Sequence, residues 1–209
     1  MSRRNFFSRL FGRDKPVDVA LFAFQVVVHE YALPGLRSQL HTLIDDPYRR
    51  PGEETPEQRR TFYKRIVGLL SQCEPFFEYG FWEYVTDREP AVAGFDEWVH
   101  DIDAAIATED TEIGDEVDDA RRISADKRYV AVTLLFLMGH ANPVAAEYDP
   151  EDDEAWTRAA FYELLQSVNR IDFELLHSDA IYLVPGSDED GLDELDLADE
   201  SWSHLEVLS

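Results

Sequence analysis

Histidines, a lone cysteine and many carboxylates are the residues of this chain that could do chemistry. No two histidines stand at the i, i+4 or one-apart spacing of a zinc site, and one cysteine cannot build a thiolate site. We therefore expect no metal centre and no cofactor. The histidines are His29, His41, His100, His140, His177 and His204.

Two acidic runs resemble sites for hard cations. Asp149–Glu154 reads DPEDDE, and the dipole of a helix predicted to begin there favours such acids without any metal. Asp188–Asp196 reads DEDGLDELD, with its glycine at position 4, whereas an EF-hand calcium loop has glycine at position 6. Both runs are interpreted as acidic surface.

The sequence contains no nucleophile elbow G-x-S-x-G and no glycine-rich phosphate loop. Cys73 lies beside Glu74 at a predicted helix end, where a thiol pKa is raised, so its role is interpreted as structural. His140 follows a predicted buried strand, a position where α/β proteins often place functional groups. An enzyme with a carboxylate-lined, possibly Mg²⁺-dependent pocket near His140 is therefore the alternative to a non-catalytic protein.

Charge divides the chain of 209 residues unevenly, and its formal net charge is −25. Residues 1–15 hold five basic residues and one acid, which leaves 14 basic and 43 acidic residues in the remainder. Such a body repels nucleic acid, whose binding depends on neutralised phosphates. Only three of the basic residues of the chain are lysines, and this acidic, lysine-poor composition predicts a protein that works in high salt. An ordinary acidic protein from an arginine-preferring genome is the alternative.

The N-terminal segment MSRRNFFSRLFGRDK has the composition of an interfacial membrane anchor. In a helix its apolar side chains would share one face and enter the headgroup region, while arginines would meet anionic lipid. Docking on the protein's own acidic surface is the alternative, as is a disordered tail. The candidate membrane contacts are Arg3, Arg4, Phe6, Phe7, Arg9, Leu10, Phe11 and Arg13.

The expected compartment is the cytoplasm, with a possible peripheral position at the inner membrane face. One cysteine allows no intramolecular disulfide, no window approaches the roughly 20 apolar residues of a membrane span, and no signal peptide is recognisable.

Hydrophobic patterns predict four strands and four main helices. The strand segments are rich in β-branched and aromatic residues, and the helix segments space apolar residues at i, i+4 and i+7. Thr55 is the predicted N-cap of the second helix, with Pro56 at its first position. The strands are predicted at Pro16–Val28, Phe76–Thr86, Arg128–Met138 and Phe173–Pro185, and the helices at Leu33–Asp46, Thr55–Cys73, Phe95–Ala107 and Glu151–Ile171. A helix is the competing interpretation of Pro16–Val28, because alanine and leucine suit both.

This order predicts an α+β fold with a single mixed sheet of about four strands covered by helices. The predicted organisation is a basic segment at residues 1–15, an α+β domain at residues 16–186 and an acidic, leucine-containing tail at residues 187–209. The charged stretch Thr108–Ala120 is expected to be a surface loop or short helix.

The chain resembles domain-of-unknown-function family 1517, found in cyanobacteria, plastids and other bacteria. The resemblance runs from about Val17 to Leu208 and rests on the stretches VDVALFAFQVVV, TPEQRR…IVGLLSQCEPFFEYGF, VAVTLLFL, DAIYLVP and DGLDELDLADESWSHLEVL. Family members are often membrane-associated, and plastid members are linked to photosynthetic acclimation. The resemblance therefore implies a membrane-associated role, and it brings no catalytic motif with it.

Together these features predict a non-catalytic adaptor or regulatory protein that binds another protein. Its contacts are expected on the aromatic strand, with one face in the core and the other facing the partner, or on the leucine-containing acidic tail. The candidate partner contacts are Tyr79, Phe81, Trp82, Tyr84 and Trp202.

Overall fold

A computed structural model describes residues 18–29, 35–46, 49, 52–112, 128–185 and 192–209, with backbone only for residues 105–112. Its strands are β1 (Ala20–His29), β2 (Phe77–Val85), β3 (Tyr129–Met138), β4 (Leu176–Val184) and β5 (Glu206–Val207). Its α-helices are α1 (Leu36–Ile44), α2 (Pro56–Ser71), α3 (Arg88–Glu112), α4 (Arg158–Ser167) and α5 (Glu194–Leu197). The predicted surface segment at 108–120 begins inside α3, and its residues after Glu112 lie outside the described part of the chain.

The strands form one open sheet in the order β4-β3-β1-β2-β5. The predicted α+β class and single sheet are confirmed, but two details of the prediction are wrong. The sheet has five strands, because the C-terminal residues add a two-residue strand too short to leave a sequence pattern. It is antiparallel rather than mixed, because both neighbours of β1 run opposite to it and β4 and β5 alternate again.

The first face of the sheet carries the main hydrophobic core. Alternate residues of β1, among them Phe22, Phe24 and Val26, are fully buried against α1, α2 and α4. Helix α2 begins as predicted, since the Thr55 side chain accepts from the backbone N–H of Gln58 and the Gln58 side chain accepts in return. This face holds most of the large buried side chains and fixes the sheet in place.

The second face is covered by two separate elements. Ala91 and Phe95 of α3 pack with Leu21 and Leu135 over one end of the central strands. The C-terminal residues cover the other end, where Leu192 packs against Val27. Residues 192–209 thus form a layer of the fold as well as its fifth strand, although the sequence suggested an exposed tail.

The helix predicted from Glu151 begins later than expected. Residues Asp153–Trp156 form a short 3₁₀ turn, and α4 starts at Arg158 after Thr157, whose hydroxyl accepts from the backbone N–H of Ala160. The acids of the DPEDDE run therefore lie in turns ahead of the capped helix. The helix dipole does not explain them, since its effect is confined to the first turn.

Candidate functional site

The C-terminal segment, defined here as residues 192–209, presents the most exposed large apolar side chains of the described chain. Leu195 is 83% exposed and Val207 is 69% exposed, whereas the other large apolar residues are less than half exposed. The segment contains no lysine or arginine. Its six acids surround the two apolar side chains along the sequence, and they are Asp193, Glu194, Asp196, Asp199, Glu200 and Glu206.

Side-chain caps hold the turns of this segment in shape. The Asp193 carboxylate accepts from the backbone N–H groups of Leu195 and Asp196, and the Asp196 carboxylate accepts from the N–H of Asp193. Asp199 accepts from the N–H of Ser201, and that hydrogen bond lowers the pKa of its carboxyl group. The acids therefore fix the backbone that carries Leu195, and they also supply its negative surroundings.

A buried hydrogen-bonded row anchors the segment to the sheet. Gln25 lies in the middle of β1, 5% exposed, and its Nε2 donates to the Thr133 hydroxyl on β3 at 2.8 Å. Its Oε1 accepts from His204 Nε2 at 2.7 Å, which assigns the proton of that contact to the histidine. The imidazole packs against the rings of Phe81 and Trp98, with ring centroids 5.3 and 5.9 Å away.

The last residues of the segment close the outer edge of β2. The Leu208 N–H donates to the Glu78 carbonyl at 2.9 Å, and the Leu208 side chain is 1% exposed. Trp156 lies beside the end of the chain, since its carbonyl accepts from the Ser209 N–H. The centroid of its ring lies 6.3 Å from the ring centroids of Phe81 and of Trp82. Because those two residues point to opposite faces of the sheet, the indole lies across its edge.

The aromatic strand β2 is used mostly inside the fold. Trp82 is 3% exposed and belongs to the main core, which leaves it little surface for a partner. Phe81 and Tyr79 are half-buried, and the Tyr84 hydroxyl accepts from the backbone N–H of Asn142. The half-buried Trp202 stacks on His204 at 6.5 Å. Of the five predicted partner contacts, Trp202 alone belongs to the C-terminal segment.

The candidate membrane contacts Arg3, Arg4, Phe6, Phe7, Arg9, Leu10, Phe11 and Arg13 lie outside the described residues. Within the described part of the chain, no helix combines the length and apolar character needed to cross a membrane.

His140 joins two loops through both ring nitrogens. Its Nε2 accepts from the backbone N–H of Asp172 at 3.0 Å, so Nδ1 carries the proton and donates to the Ala141 carbonyl at 2.9 Å. Neither nitrogen is left in this arrangement to act as a base or ligand. Among the described residues, no group of three or more His, Cys, Asp or Glu side chains could hold a metal ion.

Cys73 is buried at the end of α2, and its Sγ contacts the Leu69 carbonyl at 3.6 Å. Burial raises the pKa of this thiol to about 11. The thiol is therefore protonated at neutral pH, as expected of a structural cysteine.

A buried polar cluster joins α2 to β4. The Tyr63 hydroxyl donates to Asp179 Oδ2 at 2.7 Å, and Arg59 Nη1 lies 3.1 Å from Asp179 Oδ1. Tyr63 is 1% exposed, so burial raises its pKa well above 10, and the Asp179 charge and hydrogen bond raise it further. Arg59 and Tyr63 thereby compensate the negative charge of Asp179, the only acidic side chain of β4.

This raised pKa predicts a loss of stability in alkali. Above about pH 10 an unfolded tyrosine ionises while buried Tyr63 stays protonated, so the unfolded state binds fewer protons and the free energy of unfolding falls as pH rises. Tyr63→Phe should reduce this decline by up to about 1.4 kcal/mol per pH unit. Urea unfolding of both proteins from pH 8 to pH 11 measures the slopes, and equal slopes would contradict the prediction.

Comparison with known proteins gives no relative for this arrangement. No protein-family model matches the chain, and no curated protein and no solved structure matches it. The resemblance to domain-of-unknown-function family 1517 stays a prediction. The fold and the C-terminal segment define the class as an α+β protein whose surface segment combines acidic residues with exposed apolar side chains.

Proposed function

We propose that the protein is a non-catalytic adaptor that binds a basic protein partner through its C-terminal segment. The observation that carries the proposal is the exposure of Leu195 and Val207 within a segment that has six acids and no basic residue. Single exposed apolar residues are ordinary on a protein surface. Leu195 and Val207 are far more exposed than the other large apolar residues of the described chain, so each offers apolar area that a partner could bury.

The chemistry of the segment favours a partner with a basic and partly apolar surface. The acids would attract a basic surface over several ångströms and set its orientation, while the apolar side chains would bury area at contact. A suitable partner presents an apolar groove bordered by lysine or arginine. The Gln25–His204 contact and buried Leu208 support this role, because they hold the segment in one conformation and lower the entropy lost on binding.

Site-directed photo-cross-linking in cells that produce the protein tests the proposal. A photoreactive residue at Leu195 or Val207 should trap a basic protein, whereas the same residue at Tyr162, which is 39% exposed on α4, should not. With the trapped partner purified, Leu195→Ser and Val207→Ser should each weaken binding about tenfold or more. Tyr162→Ser is the control, and unchanged affinity in both serine variants would refute the proposed surface.

The adaptor is further proposed to meet the inner face of the membrane through residues 3–15. In molar salt the Debye length is about 3 Å, so apolar side chains would carry more of the binding than arginines do. Phe7→Ala with Phe11→Ala should therefore release the protein from anionic liposomes more completely than Arg3→Ala with Arg4→Ala. Flotation in high salt measures this, and equal flotation of the full chain and a chain beginning at Pro16 would exclude the anchor.

A further inference from the structure

The two edges of the sheet differ in how they end. The outer edge of β2 is closed by β5, by Leu208 and by the ring of Trp156. The opposite edge is β4, a nine-residue strand that pairs with β3 on one side and has no strand beyond it in the described part of the chain. A terminal strand of this length presents a row of N–H and C=O groups that can pair with another strand.

Strand β4 itself carries little uncompensated charge on a strongly acidic protein, and Asp103 of α3 hydrogen-bonds with its Tyr182. Its one acid, Asp179, is compensated by the Arg59 guanidinium and by the Tyr63 hydroxyl, and β4 holds no lysine or arginine. A register shift near Leu176 and Pro185 directly after Val184 limit pairing at its ends. The charged side chain near its centre, Asp179, is turned to α2, where it contacts Arg59 and Tyr63.

We propose that β4 pairs antiparallel with β4 of a second copy of this chain, forming a continuous ten-stranded sheet across a two-fold axis at Ala180. That axis lies at the midpoint of Leu176–Val184 and pairs the full strand with itself. It sets Asp179 opposite Ile181 of the other copy. An axis at Asp179 would instead set two carboxylates directly opposite each other, which is unfavourable.

The choice of a second copy follows from charge and symmetry. Each copy has a formal net charge of −25, so two copies repel each other overall, and β4, whose one acid is paired with Arg59, adds little to that repulsion. A two-fold axis needs a self-complementary surface, and an antiparallel edge strand is self-complementary. Salt screens the remaining repulsion, so the dimer should strengthen as salt rises. This inference does not depend on the proposed adaptor role.

Cross-linking at the two-fold axis tests the geometry directly. Opposite residues of an antiparallel pair have Cβ atoms about 5 Å apart, so Ala180→Cys should give a disulfide-linked dimer on oxidation. Val184→Cys would lie about 27 Å from its counterpart at 3.4 Å per residue, and should not cross-link. The buried native Cys73 can remain in both variants. Equal cross-linking of the two variants, or none of Ala180→Cys, would overturn the proposal.

Sedimentation velocity in about 1 M KCl, where charge repulsion is screened, tests the dimer without cross-linking. The unmodified chain should sediment as a dimer and Ala180→Lys as a monomer, because pairing at the axis would place each lysine beside its symmetry mate and strip water from both ammonium groups, a cost that salt does not remove. Tyr162→Lys, a matched charge change on α4, should remain dimeric, and circular dichroism should show that both variants are folded. If Ala180→Lys does not fold, the difference in cross-linking between Ala180→Cys and Val184→Cys tests the interface instead. A monomeric unmodified chain, or an Ala180→Lys dimer, would refute the interface.

Discussion

Gly80→Ala is expected to lower the free energy of unfolding by about 3 kcal/mol or more. A Cβ atom at this position in β2 would lie 2.7 Å from Cζ and 2.9 Å from Cδ1 of Phe161, and closer still to its Cε1. The Phe161 ring cannot yield, because it is fully buried and packs against the rings of Phe24 and Trp156 at 5.5 and 6.1 Å. Urea unfolding followed by circular dichroism measures the loss.

Gly68→Ala is the matched control for this substitution. Gly68 lies inside α2, where a new Cβ atom meets nothing within 4 Å. Alanine there should raise stability by up to about 1 kcal/mol, since glycine is a poor helix former. Phe161→Leu shortens the obstructing side chain. It should lower the free energy of unfolding less in the Gly80→Ala protein than in the unmodified protein. Additive effects of the two changes would show that their contact is not the cause.

Leu164→Ala should destabilise the protein by about 2–5 kcal/mol, as truncations of buried leucines do. Leu164 lies on α4, is fully buried and belongs to the main core on the first face of the sheet. The loss combines removed apolar contact with the cavity left behind, because the surrounding strands and α2 restrict collapse.

Leu195→Ala provides the comparison for this second change. Leu195 is 83% exposed, so its truncation should alter the free energy of unfolding by less than about 0.5 kcal/mol. Thermal or urea unfolding of the two variants under the same conditions checks the difference. Similar losses in both would mean that α4 does not bury Leu164 against the sheet.

Much of the fold follows from local sequence patterns. The apolar runs around Phe24 and Leu134 predicted β1 and β3, because strands buried on both faces read as continuous apolar stretches. Thr55 and Pro56 predicted the start of α2, because capping depends on residues close together in the chain. Thr157 was missed as the cap of α4, since the acids ahead of it suggested an earlier start.

The candidate site was only partly predictable. The acidic, leucine-containing character of residues 187–209 identified the C-terminal segment as a contact candidate, but the prediction chose Trp202 and overlooked Leu195 and Val207. One residue of the hydrogen-bonded row that holds the C-terminal segment was recognisable in the sequence, because Gln25 interrupts an otherwise apolar strand. Its partners His204 and Thr133 are 179 and 108 residues away, and no local pattern connects them.

The sequence by itself determined the charge, four of the five strands and the main helices, because each depends on composition or on neighbours a few residues apart. The tertiary structure decided which strands pair, since β1 takes both neighbours from distant segments. It also decided that β2 is closed by the chain's own C-terminal residues, while β4 is the terminal strand among the described residues. The physical reason is that a side chain is buried or exposed according to what packs on it, and for Trp82, Leu195 and Val207 that depends on segments far away in the chain.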